Sequence, residues 1–139
     1  MNETESTLNI RLEVVVTDEN INDIMACALE GGINYWADDA QVIEEYRGNN
    51  EYEHFLNNGK LAIHLIEGPI EKHGPEWYEL DKKRFINGLR KYLQDPLAPY
   101  YILCYNDAYH RLEIDTGKAD AVVCDMIFQY ALFDEIVFS

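Results

Sequence analysis

Residues 115–138, DTGKADAVVCDMIFQYALFDEIVF, are the most apolar stretch of an otherwise acidic chain. Val122, Val123, Met126, Ile127, Tyr130 and Ala131 recur at helical spacing, and Ala121, Cys124 and Phe128 fall on other faces. A helix apolar around most of its circumference has to be covered by other elements. This one is therefore expected at the centre of the core. Asp115 or Thr116 suits its N-cap, with Asp120 in the first turn at the positive end of the helix dipole. Beyond Phe133 and a turn at Asp134-Glu135, Ile136, Val137 and Phe138 read as a short strand.

The elements before it follow from local patterns. Residues 8–17, LNIRLEVVVT, alternate and then run β-branched, which predicts a strand. Thr17 or Asp18 then caps a helix whose buried stripe is Ile21, Ile24, Met25, Ala28 and Leu29. Gly31-Gly32 is expected to close it in the left-handed conformation. Residues 33–45 read as strand-like at both ends, with Asp38-Asp39 as a bend or bulge; a helix starting at Asp38 is the competing reading. Asn49 or Asn50 suits the cap of a short helix through Tyr52, Phe55 and Leu56. Residues 60–66 form a strand, and a loop follows, bracketed by Gly68-Pro69 and His73-Gly74-Pro75. Residues 77–80 form another strand, and Asp81 caps a helix carrying Phe85, Ile86, Leu89, Tyr92 and Leu93. Pro96 and Pro99 end that helix, and residues 100–105 and 109–114 flank Asn106-Asp107 as a hairpin. The whole predicts a single α+β domain over residues 1–139. It has about four helices packed on an antiparallel or mixed sheet, with the C-terminal helix central.

Charge separates the two ends of the chain. The formal net charge is −15. Thirteen acids and two bases fall in residues 1–58, a net of −11, against −4 in residues 59–139. Five of the nine bases in the second part lie between Lys82 and Lys91. Such a field repels nucleic acid and anionic membranes and attracts basic partners; it also serves solubility alone. A hydrophobic content of 47% excludes disorder despite this charge. No apolar run is long enough to cross a bilayer, and the start, MNETESTLN, is acidic and polar, so a cytoplasmic protein is expected. Three widely spaced cysteines, Cys27, Cys104 and Cys124, agree with a reducing compartment.

Four stretches carry a likeness to known proteins: EGGINYW (30–36), the strand around 61–65, WYEL (77–80) and DMIFQYALFDEIVF (125–138). In this order they resemble a family of small acidic proteins carried by bacteriophages and mobile elements of Gram-positive gut bacteria. The resemblance implies a mobile-element origin and carries over no catalytic residue. Members of that family usually have glycine in the penultimate turn, where this chain has Asp134, and they end in glycine, where this chain has Ser139.

Candidate chemistry is sparse. No glycine-rich phosphate loop, CxxC or HExxH occurs, and no cofactor or metal site is expected. Cys104, Asp107 and His110 straddle the hairpin turn and could converge on an ion or a nucleophile pair; an ordinary loop with a satisfied histidine is the favoured reading. The paired acids Asp38-Asp39 and Glu44-Glu45 could divide acid and base roles, or be solvated surface. Trp36 and Trp77 could stack a base, or fill the core. The leading expectation is a non-enzymatic interaction protein. Asp38, Asp39, Glu44, Glu45, Glu51 and Glu53 would present carboxylates to a basic, nucleic-acid-binding host protein, such as a CRISPR nuclease or restriction enzyme. A nucleotide binder using Arg84, Arg90 and Lys91 is the alternative, and a small enzyme the third reading. Oligomerisation through the edge of residues 136–138 is compatible with each.

Overall fold

The computed structural model describes residues 4–66, 76–96, 98 and 101–139. The predicted loop at Gly68-Pro69 and His73-Gly74-Pro75, together with Pro99 and Tyr100, lies outside them. The elements run β1 (Val14–Val15), α1 (Asp18–Cys27), β2 (Ala37–Ile43), α2 (Glu51–Leu56), β3 (Lys60–Leu65), β4 (Trp77–Leu80), α3 (Lys82–Gln94), β5 (Leu103–Asn106), β6 (Arg111–Ile114) and α4 (Ala121–Phe133). The architecture is α+β, as expected. In place of one sheet there are two of three strands each: an antiparallel β2-β3-β4 sheet and a mixed sheet ordered β1-β6-β5.

Side-chain caps set the helix starts. Thr17 and Asn20 form a reciprocal capping box at α1, and Asn50 and Asp81 accept the N–H of Glu53 and Arg84 at α2 and α3. Each cap satisfies a backbone donor that has no partner within the helix. At the end of α1 the expectation fails. The chain passes into a π-helical turn, Ala28–Gly32, and neither Gly31 nor Gly32 is left-handed. Gly32 answers a different need. A Cβ there would lie 3.0 Å from the Ala121 carbonyl, so the missing side chain lets the start of α4 approach.

α4 is the core helix, and it packs most extensively on α3. Contact is closest at Gly88, where a Cβ would fall 2.6 Å from the Ala131 backbone nitrogen. Glycine in mid-helix costs about 1 kcal/mol relative to alanine, which this approach explains. Phe85 stands edge-on to both Phe55 and Phe128 and joins α2, α3 and α4. The cap of α4 is Asp120; Asp115 caps a separate 3₁₀ turn, Thr116–Lys118.

The buried face of α4 also differs from the expected stripe. Val122 is 53% exposed, while Asp125 and Gln129, one turn apart, are buried. These two polar side chains face inward because other buried groups need them. Asp125 accepts from the Trp36 indole N–H at 2.7 Å and from the Tyr35 hydroxyl at 2.5 Å. Gln129 donates to Asp125 and to the Phe138 carbonyl, and its Oε1 accepts the N–H groups of Val137 and Phe138 at 2.8 and 2.7 Å. Residues 136–138 therefore form no strand. A single amide supplies the donor and acceptor that a neighbouring strand would have provided. Phe138 stacks on Trp36 with ring centroids 5.4 Å apart, and Phe133 lies edge-on to Trp36, Phe138 and Tyr78. Asp134, where glycine was noted as usual, closes α4 at φ 62°, a left-handed position that favours glycine and tolerates aspartate.

Candidate functional site

β2 pairs with β3 through an irregularity. Ala37 faces Leu65 and Asp39 faces His64, leaving Asp38 as the extra residue. In a regular strand, neighbours point to opposite faces. A bulge re-aims one of them, and Asp38 and Asp39 line the same cleft. The bulge expected at this pair is thus present, and the competing helix is not.

The cleft has a volume of ≈ 380 Å³. Glu30, Asp38, Asp39 and Glu51 bring four carboxylates to it, from the π-helical turn, β2 and the first turn of α2. Buried Ile33, Ala37 and Leu61 form its base. Among the described residues lining it none is basic. Tyr52 stands in the same wall. Its hydroxyl pKa is raised by burial and by the charges of Glu30 and Glu51, so it stays a neutral hydrogen-bonding group. The arrangement suits a cationic group with an aliphatic stem: charge at the rim, apolar contact below.

Beside the cleft, Asp38 takes a 2.5 Å hydrogen bond from His64 Nδ1, and Glu76 lies 3.8 Å from Nε2. The bond to Asp38 is the main cause that raises the His64 pKa; the charges of Asp38 and Glu76 add to it. Trp77 leans on the imidazole at 4.7 Å. This pair gives the acidic face a titratable edge whose protonated form is favoured by Asp38.

The six acids expected to meet a partner divide. Asp38, Asp39 and Glu51 converge on the cleft. Glu44 ends β2 in a left-handed conformation with its carboxylate 3.5 Å from Lys60. Glu53 takes the Asn49 N–H at 2.6 Å and closes the loop before α2. Glu45 is exposed and lies away from the cleft. Glu30 was missed. Its sequence signal is its place just before Gly31-Gly32, where the π-helical turn leads through residues 33–36 into β2.

The other candidates do not assemble. Among the described residues no three of histidine, cysteine, aspartate and glutamate are grouped to hold a metal ion, so Cys104, Asp107 and His110 do not converge. Cys124 is buried and its thiol pKa is raised, chiefly by desolvation, which leaves it un-ionised at neutral pH. Trp36 is core, whereas Trp77 is partly exposed beside His64. On α3 the bases are spread: Lys82 pairs with Asp18 and Lys91 with Asp134. Lys83, Arg84 and Arg90 line a shallow hollow together with Asp81, Ile86 and Asn87, and Arg84 also donates to the Glu79 carbonyl at 3.1 Å. His54 is a core residue. Its Nδ1 accepts the Arg47 N–H and its Nε2 donates to the Lys60 carbonyl, each at 2.9 Å.

Compared with known protein families, curated proteins and solved structures, the chain matches none. No helix among the described residues is long and apolar enough to cross a membrane.

Proposed function

We propose that this protein acts by binding, and that the cleft between the π-helical turn, β2 and α2 receives a lysine or arginine of a basic protein partner. The carboxylates around it would compete with the phosphates for which such a partner is built. The observation that carries this reading is the convergence of Glu30, Asp38, Asp39 and Glu51 on a cleft with an apolar base and no basic lining residue. The resemblance to mobile-element proteins directs the proposal to host defence enzymes that hold nucleic acid, a CRISPR nuclease or a restriction enzyme. Binding of this kind gains much of its association rate from long-range attraction and weakens as salt is added.

The test is a panel of such enzymes assayed for DNA binding with and without the protein, at low and high salt. Inhibition of at least one enzyme, lost in Glu30→Gln/Asp39→Asn/Glu51→Gln, is expected. Inhibition that survives these changes, or none across the panel, overturns the reading. A second reading rests on the α3 hollow, where Lys83, Arg84 and Arg90 could hold a phosphate-bearing ligand. Thermal stabilisation by one member of a nucleotide panel, abolished in Arg84→Ala/Arg90→Ala, would favour it over the first.

A further inference from the structure

Residues 8–13 read as a strand, yet in the folded chain they belong to no helix or strand and pair with no strand among the described residues. Leu8, Ile10 and Leu12 are 80%, 71% and 58% exposed. In a strand continued back from β1, their spacing of two would put them on one face, in line with Val14 and Val16. The register explains why none of the described strands pairs with them. β1 runs parallel to β6 with Val14 opposite Leu112. Carried back two residues, that register sets Leu12 against His110, and the residues before it against the rest of the loop that links β5 to β6. The β6 strand has ended there, so the arm projects past its own sheet. Among the described residues β1 is moreover an edge strand, with β6 on one side only. An exposed edge continued by alternating apolar residues is a template for pairing with another chain.

We propose that the arm and the free edge of β1 pair with the same stretch of a second copy, antiparallel about a two-fold axis at Leu12. The two β1-β6-β5 sheets then become one sheet of six strands. Charge pairing favours this register, since only an axis at Leu12 sets Arg11 opposite Glu13. Any pairing that sets even-numbered residues opposite odd-numbered ones matches the apolar row to Asn9, Arg11 and Glu13, and is disfavoured. An axis at Arg11 faces two guanidinium groups, and one at Glu13 faces two carboxylates. With the axis at Leu12, Arg11 falls opposite the partner's Glu13, and by symmetry the pair occurs twice. Ile10 then meets the partner's Val14 and Leu8 the partner's Val16, so each arm extends the half-buried valine row of the other copy. The contact is isologous and closes at two subunits. The arm also suits self-association because Arg11 offsets its one acid, Glu13, in a half that is otherwise strongly negative.

Sedimentation equilibrium on the full chain tests the register as well as the assembly. A dimer of twice 16.2 kDa is expected for the unaltered protein. Arg11→Glu or Glu13→Arg alone should weaken dimerisation by about tenfold or more, since each places like charges opposite one another twice. The double exchange Arg11→Glu/Glu13→Arg should restore it. Leu12→Asp should give a monomer whose circular dichroism is unchanged, because the side chain is exposed in the single chain. A monomeric wild type up to about 1 mM, a dimer indifferent to Leu12→Asp, or a double exchange that fails to rescue overturns the proposal. None of these residues lines the acidic cleft, so the outcome is independent of the partner-binding reading.

Discussion

At the C-terminus, Val137 and Phe138 give their backbone N–H groups to Gln129, and the Phe138 ring lies flat on Trp36. Near the N-terminus, Leu8, Ile10 and Leu12 are exposed to solvent on a segment that no strand meets among the described residues. Both segments carry a strand-like pattern and neither forms a regular strand. The difference shows what such a pattern demands, namely hydrogen-bond partners for the backbone and cover for one row of side chains. Inside the fold a glutamine and an aromatic cluster meet both demands. Outside it they are left to a second molecule.

The sharpest way to break this comparison is Gln129→Ala. It removes the acceptor of two backbone N–H groups and a donor to Asp125 at once, and should cost about 3–4 kcal/mol in chemical denaturation. A loss below about 1 kcal/mol would mean that the tail is not held by its amide partner. Gly88→Ala tests the platform beneath it. The added methyl meets the Ala131 backbone, so overpacking should outweigh the better helix propensity and leave a net loss of about 2 kcal/mol. Serine at Leu8, Ile10 and Leu12 together should change the stability of the dilute, single chain by less than about 0.5 kcal/mol. That small value would set the free arm apart from the anchored tail.

The effect expected to be smallest in stability lies at His64. Its pKa is raised in the fold by the bond to Asp38. The contribution of this pair is complete below the ordinary imidazole value and fades as pH rises through the raised one. Asp38→Asn should remove that dependence and move the His64 titration, followed by NMR, back towards the ordinary value. Over the same window the imidazolium is lost from beside Asp38, so the acidic face grows more negative and affinity for a cationic peptide should rise. A His64 titration unmoved by Asp38→Asn would remove the coupling.

The local grammar of the fold was legible in the residues. Thr17, Asn50 and Asp81 cap helices because each cap is a short-range bond between neighbours in sequence. The stripe of α1 and the hairpin of β5 and β6 were legible for the same reason. What escaped was set by distant groups. Asp125 and Gln129 face inward only because the Trp36 indole and the C-terminal backbone require partners there, some 90 residues away for Trp36. The π-helical turn follows from the approach of α4 to Gly32, and the division into two sheets from pairings that no local pattern encodes. In the site, Asp38-Asp39 broke the alternation of β2 and could be read as a bulge. Glu30 could not be placed, because its position depends on the π-helical turn that extends α1.

The central claim is that the cleft carboxylates form the working face. It is tested most directly by fluorescence anisotropy with a labelled arginine-rich peptide, comparing the wild type with Glu30→Gln/Asp39→Asn/Glu51→Gln. These isosteric changes alter exposed side chains, so the thermal unfolding midpoint should hold while affinity falls by about tenfold or more and loses most of its salt dependence. Unchanged affinity with an intact fold would contradict the claim.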